Sequence, residues 1–177
     1  MKKLLILILI FSSNISWGQT NNRRATLSLL QWLIKRDHIQ YLNAKSNVSI
    51  FYDTTALTKR TLMADSNKSA PHTSISDFLS PHEIYICKTA PPMLMQTDWR
   101  IKYLKLKTIF VTDKFYVAGK YTIYTFSEPI FLNEAQTRVI IGEDFFCGPA
   151  CGRDDMLLCE LKNGKWHLLA RAIIDSD

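Results

Sequence analysis

The residues best placed to do chemistry lie between Glu143 and Asp155. There Cys147-Gly-Pro-Ala-Cys151-Gly is bounded by Glu143 and Asp144 on one side and by Arg153, Asp154 and Asp155 on the other. Held as extended strand, the two cysteine Cα atoms would stand about 13 Å apart, beyond the ~7 Å that a disulfide spans. Bridging them needs a reversal, and Gly148-Pro149-Ala150 supplies one. Proline presets the φ of the second turn position, and Gly148 and Gly152 tolerate the dihedrals that closure demands. A loop-tying disulfide between Cys147 and Cys151 is the first expectation, with Cys87 and Cys159 as partners for a second, long-range bridge. The loop-entropy relation assigns about 2 kcal/mol to the small ring and roughly 4 to the long one. The first bridge would shape a loop; the second would hold the fold together.

Other chemistry fits the same residues less well. Copper-binding Cys-x3-Cys pairs lie between a strand and a helix, whereas the residues after Cys151 pattern as strand, and the Cys-x2-Cys redox spacing is absent. Zinc would need Cys87 and Cys159 to converge on the loop. A buried free thiol, acting as a small hydrophobe, is the plain alternative for Cys159. Should the flanking strands pair, Glu143, Asp144, Asp154 and Asp155 gather at one end of a sheet, where they could attract a cation or a basic partner. Their spacing matches no calcium loop. The four histidines, His38, His72, His82 and His167, fall in no metal or nucleophile motif, and neither a Gly-x-Ser-x-Gly elbow nor a phosphate-binding glycine loop is present. No catalytic residue, metal ligand or cofactor site is assigned. The loop that carries Glu143, Asp144, Pro149, Arg153, Asp154 and Asp155 is the expected contact surface.

The compartment follows from the first eighteen residues. Lys2 and Lys3 precede an apolar run from Leu4 to Phe11, and Ser16-Trp17-Gly18 offers small residues for a signal peptidase. That run is too short for a permanent span, and no later stretch approaches the roughly 20 apolar residues that one needs. The expectation is a signal peptide over 1–18 and a mature domain over 19–177, periplasmic or secreted, with no stable membrane insertion after cleavage. The four cysteines would then meet an oxidising environment. Lys2 and Lys3 leave with the leader, so 20 of the 22 basic residues face 16 acidic ones, and the charge falls from +6 to +4. This excess is too mild and too dispersed for a nucleic-acid stripe. An unidentified envelope or extracellular protein or ligand is the expected partner.

The elements that must position these residues divide into two halves. From Arg24 to Tyr41 the residues Leu27, Leu30, Leu33, Ile34 and Tyr41 recur at helical intervals, with Arg36 and Asp37 among the polar fillers. Residues 48–52 read as a short strand, Thr55 to Ala64 as a weak helix, and Asp65 to Ser80 as a loop with one helical turn at Ile75 to Leu79. The second half is rich in aromatic and β-branched residues in runs of strand length: Glu83 to Lys88, Ile101 to Thr112, Phe115 to Phe126, Thr137 to Phe146, Met156 to Lys162 and Lys165 to Ile174. Between Arg100 and Lys107 the alternation slips by one, as at a β-bulge. Asn163-Gly164 supplies a type I′ turn that sets Leu161 against Trp166, Cys159 against Leu168, and Leu157 against Ala170. Glu160 and His167 face water on the other side. The aromatics Tyr116, Tyr121, Tyr124, Phe126, Phe131, Phe145 and Phe146 could line a ligand groove, but at strand spacing they read first as core.

Three pieces in order, Phe126-Ser127-Glu128-Pro129-Ile130-Phe131, then Cys147-Gly-Pro-Ala-Cys151-Gly152, then Asn163-Gly-Lys-Trp166, give the last third of the chain a likeness. It resembles a group of short, uncharacterised exported bacterial proteins that share a Ser-x-Pro-Ile-Phe segment, a Cys-Gly-x-x-Cys-Gly loop and a closing Gly-Lys-Trp hairpin. The resemblance implies export and fold and carries over no activity. The expected architecture is α+β: an N-terminal helix on a curved antiparallel sheet of about five or six strands, similar to the nuclear-transport-factor-like or cystatin-like folds. An exported, non-catalytic binding module is the first functional expectation. A small envelope enzyme with a cleft in the sheet is the alternative, and a pocket with two or more convergent titratable side chains is what would favour it.

Overall fold

The computed structural model describes residues 23–45, 57, 61–63, 74–90, 98–99, 108–111, 121–148 and 151–176. The leader, the 48–52 strand, the slip between Arg100 and Lys107, Tyr116, and Pro149 and Ala150 lie outside these residues. The class is α+β, as the sequence implies.

The first helix, α1, runs through 23–36. Leu29, Leu30, Leu33 and Ile34 fall on one face and are buried. The helix closes as a Schellman turn: the N–H of Ile39 donates to the carbonyl of Ile34, which requires a left-handed residue between them. That residue is His38, at φ 52. The chain then enters β1 (Tyr41–Asn43), β2 (Thr61–Met63), a 3-10 turn (Ile75–Phe78), α2 (Pro81–Thr89), β3 (Ile109–Val111), β4 (Ile123–Phe126), β5 (Ile130–Phe131), β6 (Arg138–Gly148), β7 (Cys151–Lys162) and β8 (Lys165–Ser176).

Among the described residues these strands form one eight-stranded sheet, ordered β2-β8-β7-β6-β4-β1-β3 with β5 beside β6. The sheet is larger than the five or six strands expected. It is also mixed: β1 runs parallel to both β3 and β4. Parallel pairing needs a long crossover, and the chain between β1 and β3 supplies the length for one.

Three segments differ from their sequence reading. The helical pattern read from Arg24 to Tyr41 ends at Arg36, and Tyr41 opens β1. Glu83 to Lys88 is helical within α2. Its alternating Ile84 and Ile86 mimic a strand, but Ser80-Pro81-His82-Glu83 is a capping box with proline at the first turn. The Ser80 hydroxyl accepts from the Glu83 N–H at 3.2 Å, and Glu83 accepts from the Ser80 N–H at 2.8 Å. Within Thr55 to Ala64, read as helix, Thr61–Met63 instead pairs with β8 as an edge strand.

The second half of the chain is closer to expectation. Asn163 and Gly164 take positive φ values of 51 and 72, and Leu161 opposes Trp166 while Cys159 opposes Leu168. The expected Leu157–Ala170 pair is not formed. A bulge between Leu158 and Cys159 leaves Leu169 unpaired, so Leu158 opposes Ala170 and Leu157 opposes Arg171. This slip moves an arginine onto the face that carries Leu157.

The central strands are buried on both faces. Val139, Ile141, Leu157, Cys159 and Trp166 pack with Leu29, Leu30, Leu33 and Ile34 of α1. Ile140, Met156, Leu158, Ala170 and Ala172 pack on the other face with Ile75 and Leu79, flanked by Ile84 and Cys87 of α2. The expected water-facing side is therefore confined to the hairpin tip. Strands covered on both faces read as continuous apolar runs, which explains Met156-Leu-Leu-Cys159. Phe126 is fully buried, and Tyr124 and Phe131 pack against the first cluster.

Ser127 and Trp166, in the C-terminal segments singled out in the sequence, each have a structural task. Ser127, fully buried, stands where β4 hands over to β5: its hydroxyl accepts from the Gly142 N–H at 2.8 Å and donates to the Glu128 carbonyl at 3.0 Å. The Trp166 indole N–H donates to the Ser28 hydroxyl at 3.1 Å, fastening the last hairpin to α1. Arg138 fastens the opposite face, donating to Glu83 at 2.7 Å and to the Phe78 carbonyl at 2.8 Å.

Candidate functional site

The end of the sheet away from the Asn163-Gly164 turn carries the chemistry. Cys147 and Cys151 are joined as a disulfide across the β6–β7 turn, with Cα atoms 5.2 Å apart. The reversal depends on Gly148, whose φ of 148 is open only to glycine, and a register shift between Phe146 and Gly148 sets Gly148 against Cys151. The second bridge is not formed; Cys87 and Cys159 are free thiols. The sheet stands between them, because Cys159 belongs to the α1 face and Cys87 to the α2 face. Burial pushes the Cys87 thiol up to about 11 and the Cys159 thiol up to about 12.

The four carboxylates expected on an exposed loop lie in paired strands and do not form one cluster. Glu143 opposes Asp155, and Asp144 opposes Asp154. Alternation sends the first pair to the α1 face and the second to the other. Far from being contact residues, Glu143 and Asp155 are 1% and 0% exposed. Burying two carboxylates is costly unless each is paired and hydrogen-bonded. Arg171, brought into phase by the bulge, donates to Glu143 at 2.8 Å and lies 3.5 Å from Asp155. Arg153 reaches Asp155 at 2.9 Å and lies over the Phe145 ring at 5.3 Å. Arg36 of α1 approaches Glu143 at 3.8 Å, lies over the Trp32 ring and holds Asp37 with two hydrogen bonds.

Three arginines and three carboxyl groups thus form one network, incompletely satisfied. Glu143 Oε1 and Asp155 Oδ1 are buried without a hydrogen-bond partner. Burial pushes the Glu143 carboxyl up to about 7 against the pull of Arg171, and the neighbouring Asp37 carboxylate adds to the rise. A proton on Oε1 would turn that orphan oxygen into a donor toward Asp37. Burial also raises Asp155, opposed by Arg171 and Arg153.

A hollow of about 300 Å³ opens beside this network. Asp37, His38 and Gln40 form the wall where α1 passes into β1. Tyr41, Tyr121, Thr122 and Tyr124 complete the hollow's lining. The Tyr41 and Tyr121 rings lie 4.5 Å apart at 45°, and Tyr124 packs on Phe145 at 5.7 Å. Because Ile123 opposes Phe146 and Tyr124 opposes Phe145, the hollow and the disulfide tip share one end of the sheet. Burial, with Glu143 behind it, raises the Tyr124 hydroxyl above its ordinary range. No family model, curated protein or solved structure matches this chain.

Of the residues singled out in the sequence, the structure gathers Glu143, Arg153 and Asp155 into the network and sets Asp144 and Asp154 half-buried behind the sheet. Tyr121 and Tyr124, read first as core with a ligand groove as the alternative, line the hollow; Arg36, Asp37, Arg171 and Tyr41 were not anticipated as site residues. A signal for the network does exist: Glu143 continues the parity of Val139 and Ile141, and Asp155 that of Leu157 and Cys159, so charges stand at core positions. Among the described residues no group of three or more His, Cys, Asp or Glu side chains is placed to hold a metal ion, and no helix is long and apolar enough to cross a membrane.

Proposed function

We propose that this chain is an exported binding module, periplasmic or secreted, whose contact end is the end of the sheet that carries the disulfide tip and the tyrosine-walled hollow. The observation that supports this reading most is the bridge from Cys147 to Cys151 at the same end of the sheet as the hollow. A five-residue ring adds only about 2 kcal/mol to stability, less than one well-buried aromatic, so its value lies in fixing the shape of a surface. Binding surfaces are commonly loops held by a rigid scaffold, and the strands behind this tip are covered on both faces. The leader pattern supports export, and a disulfide suits an oxidising compartment. The partner is an envelope or extracellular protein or ligand.

Capture from an envelope extract tests the role of the tip. Wild-type protein is expected to retain a partner that the Cys147→Ser/Cys151→Ser variant loses while remaining folded. Equal capture by both removes the tip from the contact surface.

One observation favours an envelope enzyme instead. A buried carboxyl raised to about 7 stands beside Asp37, which lines the hollow, and acid–base catalysis uses carboxyl groups tuned in this way. Glu143 itself is sealed from the hollow's solvent, which leaves Asp37 as the group in reach of a substrate. Hydrolysis of an envelope glycan or ester by wild type, abolished in Asp37→Asn, would establish this second reading.

A further inference from the structure

The chemistry of the hollow identifies a class of ligand. We propose that it is a binding site for a neutral polyhydroxylated ligand, a sugar unit of one or two rings. This rests on reading that end of the sheet as the contact end. The volume of about 300 Å³ stands at the lower limit of small-molecule pockets and suits a ligand of this size.

The walls then select its character. Tyr41 and Tyr121, whose rings pack 4.5 Å apart, both line the hollow and bring aromatic groups of the kind on which the C–H face of a sugar ring packs. Asp37, Gln40 and Thr122 line the same hollow and bring a carboxylate, an amide and a hydroxyl, so both donors and acceptors are available to hydroxyl groups. Charge narrows the choice further. Arg36 already engages both oxygens of Asp37, so a cationic ligand would compete with a guanidinium fixed in place, and an anionic ligand would approach a carboxylate. A hydroxyl suffers neither penalty, because each Asp37 oxygen has more than one lone pair and accepts a second hydrogen bond while keeping Arg36.

His38, which the Schellman turn of α1 holds in the left-handed region at φ 52, also lines the hollow.

The test is titration of the mature, disulfide-bonded protein with maltotriose, cellotriose and chitobiose, followed by saturation-transfer NMR, with glucosamine and glucuronic acid as charged comparators. At least one neutral sugar is expected to bind, and more tightly than either charged one. Tyr121→Ala is expected to weaken that sugar about tenfold through loss of the aromatic wall, while Tyr121→Phe stays near wild type. Thr122→Trp, at an exposed rim position, fills the hollow and should abolish binding, which keeps the test decisive if Tyr121→Ala fails to fold. Absence of binding by all three neutral sugars, tighter binding of a charged sugar, or binding unchanged in Thr122→Trp overturns the proposal. Sugar binding that persists in Cys147→Ser/Cys151→Ser while capture is unaffected sinks only the role of the tip, whereas capture without sugar binding sinks only this inference.

Discussion

Strands β6 and β7 run through two different interiors. Toward the Asn163-Gly164 turn, their α1 face presents Val139, Ile141, Leu157 and Cys159 to a dry apolar layer closed by Trp166. A few residues further on, the same face presents Glu143 and Asp155 to three arginines, with four polar atoms of the network left unpartnered. Apolar burial contributes roughly 1.5–3 kcal/mol for each large side chain, whereas an incompletely satisfied ionic network contributes little or opposes folding. One end of the sheet holds the fold together. The other tolerates a cost, and it is the end with the hollow and the disulfide.

The largest effects should come from the dry end. Trp166→Ala removes a side chain that is 4% exposed and its bond to Ser28, and a loss of about 4 kcal/mol is expected in chemical denaturation. A loss below ~1 kcal/mol would erase the contrast between the two ends. Arg171→Ala should cost about 3 kcal/mol, because it strands Glu143 and Asp155 without their shared cation. Arg171→Met with Glu143→Gln and Asp155→Asn should recover most of that loss, which would show that the penalty comes from unpaired charge.

The pH dependence sharpens the comparison. Glu143 has a folded pKa of about 7 against 4.5 unfolded, so the native state keeps a proton that the unfolded chain has released. Its contribution is present below pH 4.5 and is lost as pH rises to 7, up to about 3 kcal/mol across the window. Glu143→Gln should flatten the stability profile between pH 5 and 8. A profile unchanged by that substitution would mean that the carboxyl is ionised throughout. The smallest effect concerns His38→Gly: relief of the left-handed strain, partly offset by glycine's greater freedom when unfolded, should raise stability by about 0.5 kcal/mol. Sugar binding in this variant reports on the wall separately.

Local rules explain what was legible in the sequence. The apolar stripe of α1, the type I′ turn at Asn163-Gly164 and the need for a reversal between Cys147 and Cys151 all follow from neighbouring residues, and each is found in the structure. The pairing of Leu157 with Ala170 failed because a bulge at Leu169 changes parity, and no residue type there announces it. Ile84 and Ile86 alternate as in a strand, yet the capping box and proline upstream start a helix there. Arg36 and Asp37 looked like ordinary polar fillers on a helix surface, since only the folded arrangement brings Glu143 and Arg171 to them. The eighth strand and the parallel pairing of β1 depend on contacts between segments far apart in the chain, where periodicity is silent.

The separation of Cys87 from Cys159 by the thickness of the sheet has a chemical consequence for maturation. Thiol–disulfide exchange proceeds through the thiolate, and with burial holding Cys87 near 11 and Cys159 near 12, at neutral pH only about one molecule in ten thousand carries a Cys87 thiolate, and fewer still a Cys159 one. Once folded, both sulfurs are poor nucleophiles toward the bridge at the tip, so the scaffold slows scrambling of the closed ring.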